Sequence, residues 1–158
     1  MATKVLFVCL GNICRSPIAE GVFRALIKEK GLEDQFVVDS AGTAGYHVGE
    51  VPDERAVRAL KHRGIDISDY HARQLQSVDF EGFDYILVAD RQNLRDVQQL
   101  AETSSHAEVK LFLSYDPEAK VEEIPDPYYG GSEGFELVIN MCAQASEKFL
   151  QYVQDHSK

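Results

Sequence analysis

A cysteine and an arginine near the start of the chain have the types and the spacing needed for phosphoryl transfer. Five residues separate Cys9 from Arg15, and they include Gly11 and Asn12, which belong to the types that best accept positive φ angles. A loop of this length can curl around one small anion and bring both side chains to it. The thiolate of Cys9 would attack phosphorus, and the planar guanidinium of Arg15 would bind two phosphate oxygens.

The residues on either side of this loop predict a strand before it and a helix after it. Residues 5–8 are consecutive apolar residues, as in a buried strand, and Ser16 and Pro17 are typical of a helix N-cap and a first helical position. Backbone N–H groups and the helix dipole would then make the loop an anion cradle. In that field we expect the thiol of Cys9 to ionise more readily than a free thiol, with the hydroxyl of Ser16 donating to the thiolate.

Asp126 is the residue best suited to donate a proton in this chemistry. It begins the sequence Asp-Pro-Tyr-Tyr-Gly within a loop predicted over residues 114–132, and a loop of that length in a compact domain is usually functional. Its carboxyl group would protonate the leaving oxygen and then deprotonate a water molecule, while Tyr128 and Tyr129 would form an aromatic rim. The simpler alternatives are that this motif is a surface turn and that Cys9 is an inert buried thiol.

Both stretches resemble motifs of one known family. Residues 9–17, Cys-Leu-Gly-Asn-Ile-Cys-Arg-Ser-Pro, resemble the phosphate-binding loop of the low-molecular-weight protein tyrosine phosphatases, and residues 126–130 resemble the general-acid loop of that family. The resemblance covers nearly the whole chain and implies a metal-independent phosphatase with no cofactor, which hydrolyses phosphotyrosine through a cysteinyl-phosphate intermediate. It implies catalytic roles for Cys9, Arg15 and Asp126. The substrate-binding residues expected on this basis are Leu10, Gly11, Asn12, Ile13, Cys14, Ser16, Tyr46, Tyr128 and Tyr129.

The resemblance also implies residues that support the phosphate-binding loop from behind. Ser40 matches a position that hydrogen-bonds within the supporting network. His71 matches a histidine that braces Asn12 and Ser16, and we assign it no proton transfer. Asp90 either caps the helix that follows it or belongs to the site. The helical pattern after Asp90 favours the cap, although family members carry an Asp here near the phosphate-binding loop.

A glycine-rich loop over residues 41–49 carries Tyr46 and His47. Tyr46 falls where the family places an aromatic rim residue, often Trp, so the change to Tyr leaves the substrate preference open. The alternative is a solvated turn in which Tyr46 simply packs. On the functional interpretation, this loop forms a wall of the pocket and stacks on a substrate ring.

Strands that alternate with helices predict an α/β fold. The expected architecture is a single-domain three-layer sandwich over residues 1–158, with a four-stranded parallel sheet in the order 2-1-3-4 and helices on both faces. Ligands of such sheets bind at the carboxyl ends of the strands, where one site can collect Cys9, Ser40, Asp90 and the loop of Asp126. The remaining predicted strands are residues 36–38, 85–88 and 109–113, and the predicted helices are residues 17–29, 53–63, one after Asp90, and 134–154.

Composition narrows the class of protein and of partner. The chain has 158 residues, 44% hydrophobic and 27% charged, and its net charge of −10 argues against a nucleic-acid partner. The N-terminus resembles no signal peptide, and no apolar run is long enough to span a membrane. We therefore expect a cytoplasmic monomer with no membrane partner. Its expected partner is a phosphotyrosine-containing protein. A tyrosine kinase is a further candidate, because it could phosphorylate Tyr128 or Tyr129.

The three cysteines are too few for a disulfide framework, which also favours a reducing compartment. Cys142 lies on the apolar stripe of the last predicted helix and is expected in the core. Cys14 either fills space beside Cys9 or forms a reversible disulfide with it under peroxide.

Four other functions compete with phosphotyrosine hydrolysis. Phosphoarginine phosphatases of this family tend to carry Thr where this chain has Ile13, and arsenate reductases of this fold need further cysteines between Cys14 and Cys142, where none is present. A silent phosphotyrosine-binding module would need no acid such as Asp126. A flavodoxin-type electron carrier would need neither the nucleophile nor the arginine in the loop.

Overall fold

Strand β1 lies at the centre of one parallel sheet and ends at the phosphate-binding loop. The computed structural model of the protein describes residues 2–101, 105–128 and 130–156. Within them the strand order is β2-β1-β3-β4, so the predicted fold class and strand order are confirmed. The four strands are Thr3–Cys9 (β1), Phe36–Gly42 (β2), Tyr85–Val88 (β3) and Glu108–Leu111 (β4).

Helices cover both faces of this sheet. Side chains alternate along β1, so Val5 and Phe7 enter one apolar core while Leu6 and Val8 enter the other. Helices α1 and α5 pack in the first core, with α2 against α5, and α3 and α4 pack in the second. The helices of the described residues are Arg15–Glu29 (α1), Glu54–Lys61 (α2), Asp79–Gly82 (α3), Arg91–Leu100 (α4) and Ser132–His156 (α5).

The predicted start of the first helix is wrong by two residues. Helix α1 begins at Arg15, and the N-cap position is taken by Cys14, whose side chain makes no capping hydrogen bond. Ser16 is therefore already inside the helix, and its hydroxyl bonds other side chains instead of capping the helix. This earlier start places Arg15 in the first helical turn, beside the loop.

Several strand boundaries also differ from the prediction, most of all at the ends of β2 and β4. Strand β2 continues to Gly42, so Ser40 lies within it and not beyond its end. The fourth strand ends at Leu111, and Leu113 lies in the 3-10 turn Phe112–Tyr115. That turn buries three of its four side chains, which an alternating strand would not do.

Smaller differences concern the helices. Helix α2 begins one residue later than predicted because Asp53 is its N-cap, accepting a hydrogen bond from the Arg55 N–H at 2.9 Å, and it ends two residues earlier, at Lys61. The short helix α3 was not predicted, and α5 is longer at both ends than residues 134–154. Cys142 is fully buried in the core, as predicted.

Candidate active site

The loop between β1 and α1 leaves several of its backbone N–H groups without a protein acceptor among the described residues. Within the described part of the chain, the N–H groups of residues 11–14 have no protein acceptor. Donors of this kind at a helix N-terminus make an anion-binding site. Three carbonyl oxygens of the loop accept hydrogen bonds from N–H groups outside it, at 2.8–3.0 Å. The N–H of Thr43 donates to the carbonyl oxygen of Cys9, that of Ala44 to Leu10, and that of Asp53 to Ile13.

Asn12 sets the shape of this loop. Its φ of 58° makes it the one non-glycine residue with positive φ among the described residues, whereas Gly11 does not adopt that conformation. The side-chain amide nitrogen of Asn12 donates to the hydroxyls of Ser16, at 2.8 Å, and of Ser40, at 3.0 Å. Its carbonyl oxygen accepts from the N–H of Arg73 at 3.0 Å. The buried amide therefore locks the strained residue in place.

Ser16 gives the sulfur of Cys9 a hydrogen-bond donor. The Sγ atom of Cys9 lies 3.0 Å from the Oγ atom of Ser16. Because that oxygen already accepts from Asn12, its own hydrogen is available to the sulfur. The carbonyl of Ala41, at 3.4 Å, is a more distant acceptor. A donor in this position stabilises a thiolate as nucleophile and as leaving group.

Gly42 and Gly11 leave the space that the loop needs. A Cβ atom on Gly42 would lie 2.7 Å from the carbonyl oxygen of Leu10, which is backbone and cannot move aside. A Cβ atom on Gly11 would lie 2.9 Å from Cδ2 of His47. Sequence reasoning missed Gly42, because the approach of β2 to the loop is visible only once the strands are paired.

Arg15 is buried, and its guanidinium is anchored by hydrogen bonds to two other residues. Its Nη1 atom donates to Oδ2 of Asp90 at 2.7 Å and to the carbonyl oxygen of Ile124 at 3.0 Å. Burial works to lower the pKa of Arg15, but the charge of Cys9 and the hydrogen bond to Asp90 outweigh it and raise that pKa. Asp90 also caps α4 by accepting from the N–H of Asn93 at 2.8 Å, so the predicted cap is present and the same side chain contacts Arg15.

Asp126 faces Arg15 across the site. Its Oδ2 atom lies 3.7 Å from Nη2 of Arg15, and its Oδ1 atom accepts a hydrogen bond from the N–H of Tyr128 at 3.0 Å. About a third of the Asp126 side chain is exposed, 34%, so water can reach it. We call residues 126–128 and 130 the acid loop. Tyr129, predicted as a rim residue, lies outside the described residues.

A cavity of about 120 Å³ joins these groups. Tyr46, which is highly exposed, and Tyr128 stand at its rim. His47 also lines the cavity, although only Tyr46 of the loop over residues 41–49 was predicted from the sequence as a site residue. The predicted site residues that line the cavity are Cys9, Leu10, Gly11, Ile13, Cys14, Arg15, Tyr46, Asp126 and Tyr128.

Cys14 shares this cavity with Cys9, and its surroundings favour the neutral thiol. Burial, followed by the charges of Asp53 and Cys9, raises the pKa of the Cys14 thiol far above its ordinary value. A neutral thiol is a poor nucleophile, whereas the sulfur of Cys9 has the Ser16 hydroxyl as a hydrogen-bond donor, so Cys9 is the candidate nucleophile. Burial likewise raises the pKa of Cys142 to about 12. All three cysteines are free thiols.

The structure does not give His71 its predicted contacts. His71 is exposed and borders a second cavity of about 110 Å³ behind the loop, but no hydrogen bond in the described part of the chain joins it to Asn12 or Ser16. The backbone of Arg73 makes the contact to Asn12 instead. Ser40 does enter the network, and its hydroxyl donates to the buried carboxyl group of Glu20 at 2.7 Å. Burial is the main cause that raises the pKa of Glu20.

The described residues also bear on metal binding and on membrane spanning. Among residues 2–101, 105–128 and 130–156, no three His, Cys, Asp or Glu side chains are grouped so that they could hold a metal ion. None of the helices described is long and apolar enough to cross a membrane.

Comparisons with known proteins agree with this geometry. Residues 4–158 match the family model described as low molecular weight phosphotyrosine protein phosphatase. The protein of that name from Sus scrofa is 45% identical over 153 residues, which cover 96% of each chain. A crystal structure of a protein tyrosine phosphatase from Entamoeba histolytica superposes with a TM-score of 0.94 at 36% identity, covering 99% of this chain and 100% of that one.

A second solved structure is also similar. It is that of a Drosophila arginine phosphatase, with a TM-score of 0.91 at 36% identity, covering 96% of this chain and 98% of that one. The family match spans nearly the whole chain, and the identity to the Sus scrofa protein is well above the level at which a fold alone is shared. The chain therefore belongs to the low-molecular-weight phosphotyrosine protein phosphatase family.

Proposed function

We propose that the protein is a metal-independent protein tyrosine phosphatase that works through a cysteinyl-phosphate intermediate. One arrangement carries the proposal: the sulfur of Cys9 lies in a loop of unpaired N–H donors, with buried Arg15 beside it and Asp126 facing Arg15. In this arrangement the loop and Arg15 bind the phosphate oxygens, and the thiolate is aligned with phosphorus. The family match over residues 4–158 supports one catalytic domain across the chain.

The first chemical step transfers the phosphoryl group to sulfur. The thiolate of Cys9 attacks phosphorus, the P–O bond to the phenol breaks, and Asp126 gives its proton to the leaving oxygen. Arg15 uses Nη1 for its anchors, Asp90 and Ile124, which leaves Nη2 and Nε of the fork for phosphate oxygens. The transferred group therefore meets donors that are already oriented, and little reorganisation is needed.

The second step releases inorganic phosphate. Asp126, now ionised, takes a proton from a water molecule whose oxygen attacks phosphorus, and the P–S bond breaks. The electrons of that bond return to the sulfur of Cys9. The hydroxyl of Ser16, 3.0 Å from that sulfur, stabilises the departing thiolate.

The walls of the cavity favour an aromatic phosphoester. Leu10, Tyr46 and Tyr128 place apolar surface around the mouth, where a phenyl ring would lie while its phosphate reached Cys9. We expect phosphoserine, whose side chain is shorter than that of phosphotyrosine, to reach Cys9 less well. We expect the enzyme to act as a monomer on phosphotyrosine proteins. We expect it in the cytoplasm, because a reducing compartment would keep its three free thiols reduced.

A panel of matched phosphopeptides tests this proposal. Peptides of one sequence that carry phosphotyrosine, phosphoserine or phosphoarginine are incubated with the protein in EDTA, and phosphate release is measured. We expect rapid release from phosphotyrosine alone, with no effect of the chelator. Release mainly from phosphoarginine would keep the proposed mechanism and overturn the proposed specificity. Phosphoarginine is included because the fold is similar to that of a Drosophila arginine phosphatase. No release from any peptide would favour a binding module.

A further inference from the structure

We propose that Arg55 is a positioning residue, which holds the acid loop against the phosphate-binding loop so that the carboxyl group of Asp126 is aimed at the leaving oxygen. The proposal rests on the acid role proposed above for Asp126. Arg55 lies in the first turn of α2, far from both loops in sequence, and it does not line the cavity. We therefore expect it to influence the reaction mainly through the residues that it holds.

The guanidinium of Arg55 donates hydrogen bonds to the backbone of the acid loop. Its Nη2 atom donates to the carbonyl oxygen of Tyr128 at 2.9 Å, and its Nη1 atom donates to that of Gly130 at 3.0 Å. The same group lies 5.6 Å from the ring centroid of Tyr128 and 4.8 Å from that of Phe135. Two hydrogen bonds and two ring contacts from one planar group fix the loop in direction as well as in distance.

The other side of Arg55 is tied to the phosphate-binding loop. Its Nε and Nη2 atoms each donate to a different oxygen of Asp53, both at 3.0 Å. The N–H of Asp53 in turn donates to the carbonyl oxygen of Ile13 at 2.8 Å. The ion pair of Arg55 and Asp53 thus sets the distance between the loop that would bind phosphate and the loop that would supply the proton.

The link to the carboxyl group passes through one residue. Tyr128 accepts from Arg55 with its carbonyl oxygen and donates from its N–H to Oδ1 of Asp126 at 3.0 Å. The other carboxylate oxygen of Asp126 lies 3.7 Å from Arg15. Movement of the Tyr128 backbone would therefore turn the carboxyl group away from the leaving oxygen. Misplacement of a catalytic group by about 1 Å can cost about a hundredfold in rate.

The test compares Arg55→Met with a matched control on the same helix. Arg58→Met removes an arginine that pairs only with exposed Glu54 among the described residues, at 3.0 Å, and it should leave activity unchanged. The readout is kcat/KM for aryl phosphates whose phenols differ in acidity, together with inhibition by inorganic phosphate. Arg55→Lys keeps the charge but not the fork, so it should give an intermediate loss and serves if the Met variant does not fold.

For Arg55→Met we expect kcat/KM to fall about ten- to a hundredfold for unactivated phenols and much less for acidic ones. Inhibition by inorganic phosphate should stay within about twofold, because the phosphate-binding donors remain. In an Asp126→Asn background, Arg55→Met should add no further loss. These results would separate a positioning role from a merely structural one, which would lower all rates alike.

Two outcomes would overturn the inference in different ways. If Arg55→Met slows all leaving groups equally, or still slows the Asp126→Asn enzyme, Arg55 acts elsewhere while the acid role of Asp126 stands. If Asp126→Asn alone shows no dependence on the leaving group, the proposed acid role fails, and the positioning role of Arg55 fails with it.

Discussion

Replacement of Cys9 by serine should abolish turnover and preserve phosphate binding. We expect kcat to fall by about a million-fold, the scale seen when an enzyme loses its nucleophile. A serine hydroxyl is far less acidic than a thiol, so the local field cannot ionise it. The groups that bind phosphate, which are the loop N–H donors and Arg15, do not change. Phosphate release and calorimetric titration with inorganic phosphate measure the two properties separately.

Cys142→Ala is the matched control, because it removes a thiol that lies in the core and does not line the cavity. It should lower the free energy of unfolding and leave kcat nearly unchanged. Turnover by Cys9→Ser above a few per cent of wild type would refute the nucleophile assignment. Loss of phosphate binding in Cys9→Ser would instead show that the sulfur holds the loop in shape.

Replacement of Asp126 by asparagine should lower kcat/KM by about a hundred- to ten-thousandfold for phenols that leave poorly, the range expected for a lost general acid. Asparagine keeps a carbonyl oxygen that can accept from the Tyr128 N–H, so the acid loop should hold its shape. The loss should shrink as the leaving phenol becomes more acidic, because such a phenolate departs without a proton. A loss that is equal for all phenols would argue that Asp126 binds substrate and does not protonate it.

The sequence predicted those parts of the molecule whose signals are local. The apolar run of β3, residues 85–88, has the predicted bounds, and the cap signal at Asp90 was correct. The Cys9 to Arg15 spacing predicted a loop that the structure does place around one cavity. In each case neighbouring residues carry the information, through periodicity or through a preference for one backbone conformation.

The remaining features depend on contacts between distant residues. Ser16 looks like an N-cap in sequence, but its hydroxyl bonds Cys9 and Asn12, and no local signal distinguishes the two uses. The brace on Asn12 comes from a backbone N–H, that of Arg73, which any residue type could supply. The contacts of Arg55 with the acid loop join residues more than seventy positions apart. They can be recognised only in the folded structure.

The most direct test of the proposed mechanism is to trap the phosphoenzyme. Asp126→Asn is mixed with an aryl phosphate whose phenol is acidic, so that sulfur is phosphorylated while hydrolysis is slowed. The reaction is stopped by rapid denaturation, and mass spectrometry locates the phosphoryl group. We predict one phosphoryl group per chain, on the peptide that contains Cys9. A phosphoryl group on another residue, or release of phenol with no phosphorylated chain at any time, would contradict the mechanism.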